Sequence, residues 1–221
     1  MALSKEQRDL VVGTLLGDAN LQTETQGRSW RYRAIHSADQ KAYLDHKFEI
    51  MKEYCSMEKP MPNNTLDKRT KKVYERFYFT TKTHSSLRFF GNMFYTYNKQ
   101  ARKMVKDVPV RIEKFLTPAA VAYWYMDDGS LKWPEKSNAM RICTENFSND
   151  GVFRLQKALK NLYNIQTTLT EKNKIVEGKK VLVGLRISIN EEQSAAFHEL
   201  IQPHLVDCMK YKVSDGSKGH L

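Results

Sequence analysis

The chain has 221 residues, 41% of them hydrophobic, and a formal net charge of +11. That length can bury a core as one large domain or as two of roughly 100 residues each. No stretch reaches the ~20 apolar residues of a membrane span and the opening MALSKEQRDL lacks a signal-peptide apolar run, so a soluble, unsecreted protein is expected.

Taken in chain order, Ser4 with Gln7 three residues on forms a capping box, and the apolar LVVGTLLG behind it predicts a helix that ends at Asp18. Gly13 and Gly17 lie four apart on one face of it, and since a glycine costs about 1 kcal/mol inside a helix, two on one face suggest close backbone approach. ANLQTETQGRSWRYRAIHS then reads as a hairpin turning near Gln26 and Gly27, followed by a helix over about 39–54 and a turn-rich EKPMPNNT. A second strand pair ends in VYERFYFTTK, whose alternation turns Phe77 and Phe79 to a core and Arg76, Tyr78, Thr80 and Lys82 outward. HSSLRFFGNMFYTY predicts a closing helix, and NKQARKMVKDVP a basic connector.

The order then repeats. Thr117 and Pro118 form an N-cap with proline at the first helical position, and the apolar run to Met126 ends on Asp127, Asp128 and Gly129. A hairpin around KWPEKSNAMRICTENF, a helix over 149–163, strands in TTLTEK and KVLVGLRISI, and a helix in NEEQSAAFHELI complete the second half. The expected fold is α+β: two pseudo-symmetric helix-strand-strand-helix-strand-strand-helix units, 1–98 and 117–221, joined by the connector 99–116.

The charge surplus implies a polyanionic partner, with nucleic acid first, although a ribosomal protein or an anionic-membrane binder shares that signature. Cys55, Cys143 and Cys208 have no Cys-x-x-Cys spacing and the six histidines are scattered, which argues against a zinc site, a disulfide framework or a histidine-based nuclease. Carboxylates must carry any chemistry. Acids at a helix C-terminus are disfavoured by the helix dipole unless a cation sits beside them. If the two opening helices pack together, Asp18 and Asp128 meet at their ends and repel unless a divalent cation lies between them. Mg²⁺ takes one or two carboxylates plus waters and phosphate oxygens, so the arrangement outlines a phosphodiester-cleaving site.

Aligned on the last Asp, VVGTLLGDA (11–19) and VAYWYMDDG (121–129) resemble the nine-residue motif of the LAGLIDADG homing endonucleases, in the single-chain form with two copies. The resemblance spans nearly the whole chain, and LTPAAVAYWYMDDGSLKW is especially similar to intron-encoded members of organelles. It implies that Asp18 and Asp128 are the metal-binding catalytic acids, that Gly17 and Asp127 offer backbone carbonyls, and that a lysine from each half, Lys106 in KDVP and Lys212 near the end, reaches the site. The Asp127 side chain is expected to matter far less. The first motif lacks the penultimate acid, and Tyr123 stands where the second should have glycine. Tyr123, Trp124 and Tyr125 are expected to be core aromatics.

The family's sheets lie in DNA major grooves, which implies base or phosphate contacts from Arg31, Arg33, Arg76, Tyr78, Lys82, Arg141, Lys172 and Arg186, with Lys68, Arg69, Lys71 and Lys72 on a loop reaching phosphates. The expected protein is therefore a monomeric, Mg²⁺-dependent, site-specific double-strand DNA endonuclease. It would work in a mitochondrion or chloroplast if organelle-encoded, otherwise in a microbial cytoplasm. An RNA-binding maturase acting on group I intron RNA is the alternative, and a non-catalytic transcription regulator a third.

Overall fold

The computed structural model describes residues 2–67, 69–134 and 136–213. The first unit runs α1 (Lys5–Leu16), β1 (Asn20–Gln22), β2 (Arg31–Ser37), α2 (Lys41–Met51), β3 (Met61–Pro62), β4 (Thr65–Leu66), β5 (Val73–Tyr74), β6 (Arg76–Thr80) and α3 (Ser85–Phe94). A hairpin of β7 (Tyr95–Asn98) and β8 (Lys103–Lys106) leads to the second: α4 (Pro118–Asp128), β9 (Gly129–Leu131), β10 (Met140–Ile142), α5 (Asn149–Tyr163), β11 (Thr168–Val176), β12 (Lys179–Ile189) and α6 (Glu191–Ile201). Each unit carries a four-stranded antiparallel sheet, ordered β1-β2-β6-β3 in one and β9-β10-β12-β11 in the other, so the two sheets match strand for strand.

Local chemistry sets these elements. Ser4 Oγ accepts the Gln7 amide at 3.1 Å while Gln7 Oε1 accepts the Ser4 amide at 2.8 Å, which closes the capping box of α1. Thr117 caps α4 by accepting the Ala120 amide, and its hydroxyl donates to Asp9 Oδ1 of α1 at 2.8 Å, tying the two helix starts together. Along β2, Tyr32, Ala34 and His36 face inward, where α2 supplies Tyr43, Leu44, Phe48 and Met51. One continuous apolar core runs through both units, with α1 and α4 packed at its centre.

Two local expectations change. The helix expected in HSSLRFFGNMFYTY stops at Phe94, and residues 95–98 pair as a strand with 103–106, inside the stretch read as connector. Tyr, Thr and Tyr favour a pleated surface, and Arg102 turns the hairpin with a positive φ of 50°. The second strand pair of the first unit is split: β3 and β6 join the main sheet, while β4 and β5 form a separate two-stranded ribbon beyond it.

Gly13 explains how α1 and α4 come so close. A Cβ there would strike the Ala120 carbonyl and lie 2.6 Å from the Cβ of Tyr123. Tyr123, at the position where the second motif departs from glycine, fills the space that Gly13 leaves. Gly13→Ala should therefore lower stability by about 1–3 kcal/mol through overpacking, instead of gaining the ~1 kcal/mol that helix propensity alone would give. Urea denaturation decides by the sign of the change.

Candidate active site and nucleic-acid interface

The helix ends differ. Asp128 is the last residue of α4, whereas α1 stops at Leu16 and leaves Gly17 and Asp18 outside the helix. Asp18 keeps 44% of its side-chain surface accessible, at the floor of an open cleft of about 350 Å³ that Gly17, Arg33 and Lys106 also line. Asp128 is half-buried. Burial first, and then the charges of Asp18 and Asp127, push its carboxyl up to about 8; burial and the Asp127 charge also raise Asp18.

Both expected lysines arrive. Lys106, on β8, donates from Nζ to the carbonyls of Gly17 at 3.3 Å and Ala19 at 3.1 Å. Lys212, in the 3₁₀ turn Asp207–Lys212, donates to the Asp127 carbonyl at 2.8 Å, and Tyr125 Oη fixes that turn by donating to the Lys212 carbonyl at 2.8 Å. Burial lowers both lysine pKa values, and the acids of the site oppose that shift. Two carboxylates and two main-chain carbonyls form an all-oxygen donor set suited to a hard divalent cation. A carbonyl has two lone pairs, so an ammonium and a cation can share one.

The structure gives the Asp127 side chain far more to do than a turn residue would have. Its Oδ1 accepts from Lys47 Nζ at 2.6 Å with both side chains fully buried, and its Oδ2 accepts the backbone N–H of Asp18 at 2.9 Å. Gly17 makes room: a Cβ there would collide with Asp127, 2.6 Å from its Oδ2. Lys47 also donates to His36 Nε2 at 2.8 Å, so His36 carries its proton on Nδ1, which faces Gln40 Oε1 at 3.0 Å and lies 3.8 Å from Asp18 Oδ2. Burial and the Lys47 charge lower His36 to about 4. Ligand atoms of Asp18, His36 and Asp127 lie within 4.8 Å of one another, but the cation serving Asp127 and His36 is the ammonium of Lys47.

Lys47 and His36 were missed in the sequence, though each left a trace. Lys47 interrupts the apolar stripe of Tyr43, Leu44, Phe48 and Met51, and His36 falls on the inward parity of β2 after Tyr32 and Ala34.

Register places Arg31, Arg33, Arg76 and Tyr78 on the outward face of the first sheet. Arg31 is engaged by Glu24 and Gln22, and Arg33 lies 4.8 Å over the Tyr78 ring. In the second sheet Arg141 donates to Ser130, Arg186 is clamped by Glu145, and Lys172 is exposed on β11. Arg69, Lys71 and Lys72 are exposed between β4 and β5, and Lys68 lies outside the described residues. Lys82 stands apart, past β6, lining a small cleft with Glu53, Tyr54 and His84 near the end of α2.

Residues 8–197 match the family model described as the LAGLIDADG DNA endonuclease family. The chain belongs to that family. It is 56% identical over 223 residues to the DNA endonuclease I-ChuI of Chlamydomonas applanata, covering all of both chains. It is 26% identical to the cytochrome b mRNA maturase bI2 of Saccharomyces cerevisiae, over 93% of this chain and 47% of that protein. Its fold matches the homing endonuclease I-WcaI bound to its DNA recognition sequence, with a TM-score of 0.80, 21% identity, and coverage of 96% of this chain and 87% of that one. The LAGLIDADG protein is thus a DNA endonuclease, a hydrolase of phosphodiester bonds, and the family's enzymes depend on metal. Among its described residues no helix is long and apolar enough to cross a membrane.

The buried pair sets a clear expectation. Asp127→Asn or Lys47→Met alone strands one charge in the core and should cost about 3–5 kcal/mol, whereas the two together should come close to wild type. A double-mutant cycle by chemical denaturation measures the coupling, and additive losses would contradict the pairing.

Asp128 sets another. A carboxyl whose folded pKa is about 8 against an ordinary 3.8 contributes stability below pH 4 that is lost as pH rises to 8. In chelator, the melting temperature of Asp128→Asn should gain on wild type across that window, and a divalent cation should close the gap. Parallel melting curves would refute the assignment.

Proposed function

We propose that this endonuclease is a monomer that cuts both strands of a long, asymmetric DNA site, using Mg²⁺ held by the carboxylates of Asp18 and Asp128 and the carbonyls of Gly17 and Asp127. The meeting of Asp18, Lys106 and the outward-facing Arg33 in one cleft is the observation that carries this. Lys106 feels Asp128 more strongly than Asp18, and Lys212 acts on Asp18 more strongly than Lys106 does, so Asp128 with Lys106 forms one arm of the centre and Asp18 with Lys212 the other, one for each strand. Bound Mg²⁺ supplies Lewis-acid polarisation of the scissile phosphate and a lower pKa for a water ligand. The two ammonium groups stand where charge develops on phosphate oxygens and stabilise it without reorganising.

Arg31, Arg33, Arg76, Tyr78, Arg141, Lys172 and Arg186 follow the duplex along the two sheets, with Arg69, Lys71 and Lys72 on the ribbon reaching phosphates. Several of these are already held by neighbours on the same face, which lowers the entropy lost on binding. Group I intron RNA is the competing partner. Acids retained in both motifs favour cleavage over RNA binding alone, because an unused carboxylate pair would only be repulsive.

A selection for cut sites from a randomised duplex library supplies the substrate. On it, Asp18→Asn and Asp128→Asn should each abolish double-strand cleavage in Mg²⁺ while keeping duplex binding in Ca²⁺. Lys106→Ala and Lys212→Ala should slow cleavage with binding nearly intact. Normal cutting by both Asp variants would rule out this centre, and two protein chains per duplex in sedimentation would rule out the monomer.

A further inference from the structure

We propose that the Asp127 carboxylate, gripped by buried Lys47, is a positioning residue for the Asp18 arm of the centre alone, so that the two strands depend on it unequally. This rests on the two-arm nuclease described above.

The two arms are anchored by different means. Asp128 belongs to α4, whose helical hydrogen bonds hold its backbone, and its carbonyl accepts the Cys143 amide at 3.0 Å. Asp18 has left α1. Gly17, with φ −108° and ψ −132°, breaks the helical path, and the amides of Gly17 and Ala19 both turn back to the Thr14 carbonyl. Between them the Asp18 amide donates across the interface to Asp127 Oδ2. The pseudo-symmetric residue, Gly17, has no side chain to return the favour to Asp128.

The clamp is itself held from outside the motif. Lys47 enters from α2, donates to Asp127 Oδ1 and to His36 Nε2, and packs its ammonium 4.1 Å from the centroid of the Tyr43 ring. With one carboxylate oxygen on the lysine, the other is aimed at the Asp18 amide. Three packed side chains thereby connect the first sheet and α2 to the backbone of one catalytic acid. An acceptor at Asp127 is what Asp18 needs; the charge serves to keep that acceptor in place.

Two double variants separate positioning from plain stability, because both remove the buried charge pair. Lys47→Met with Asp127→Asn keeps an acceptor for the Asp18 amide, and Lys47→Met with Asp127→Ala removes it. Each is assayed on the selected duplex with either strand end-labelled, beside a thermal melt and duplex binding in Ca²⁺. The Ala variant should cut one strand about tenfold more slowly than the other, the rate equivalent of one buried hydrogen bond. The affected strand should be the one slowed by Lys212→Ala, and the Asn variant should recover most of that loss. Equal slowing of both strands, or identical behaviour of the two doubles, would overturn the clamp. Failure of the wild-type chain to cut would instead overturn the nuclease assignment. Should the Ala variant not fold, Asp127→Val, which also lacks an acceptor, takes its place.

Discussion

Everything at the site depends on how closely α1 and α4 approach. Asp18 and Asp128 come from residues far apart in the chain, and neither helix alone can bring two carboxylates to one point. The contact of Gly13 with the Ala120 carbonyl removes the side-chain layer that ordinarily separates two helices. The apolar faces of both helices are buried around that contact, so the energy of the core is what holds like charges together. Thr117 ties the far ends of the two helices together through Asp9, and the acids stand at the opposite end of the pair.

Three acids at that end of the pair must be balanced, and the balance is divided by burial. Asp127, fully buried, has its own fixed cation in Lys47, because a lone carboxylate there would cost several kcal/mol. Asp18 and Asp128 open towards solvent and keep no comparable partner. Lys106 and Lys212 lie on main-chain carbonyls beside them. The buried acid is therefore structural and the open acids are free to bind a cation, although Asp127 and Asp128 are adjacent and chemically identical.

The repeated order of elements was legible in the sequence because caps and apolar periods are local. Helix α5 falls on the expected 149–163, and the Ser4 capping box and the Thr117 cap both form. The failure at residues 95–98 has the opposite cause: an aromatic helix end and an aromatic strand look alike until the pairing partner is known, and the partner sat in a segment whose charge made it resemble a connector. Motif spacing singled out Asp18 and Asp128, while Lys106 and Lys212 came from the family resemblance alone; the structure sets both ammonium groups on main-chain carbonyls at the motif ends. Lys47 was not, because a lysine on an apolar stripe ordinarily extends its ammonium to water. Only the carboxylate arriving from the other half of the chain makes full burial tolerable, and no local pattern announces it.

The departures of the two motif copies from one another follow from the same geometry. Where α1 has Gly13, α4 has Tyr123; where the first copy has Gly17, the second has Asp127. In a symmetric homodimer each of these positions would face a copy of itself, and two tyrosines or two carboxylates could not share the space that one now fills. A single chain is free to set small against large across the pseudo-twofold axis. Tyr123 uses that freedom to reach His46 Nε2 at 2.9 Å, and Asp127 uses it to reach the Asp18 amide. The duplicated units thus lock together by complementing each other, and the price is that Asp18 and Asp128 are held by different bonds.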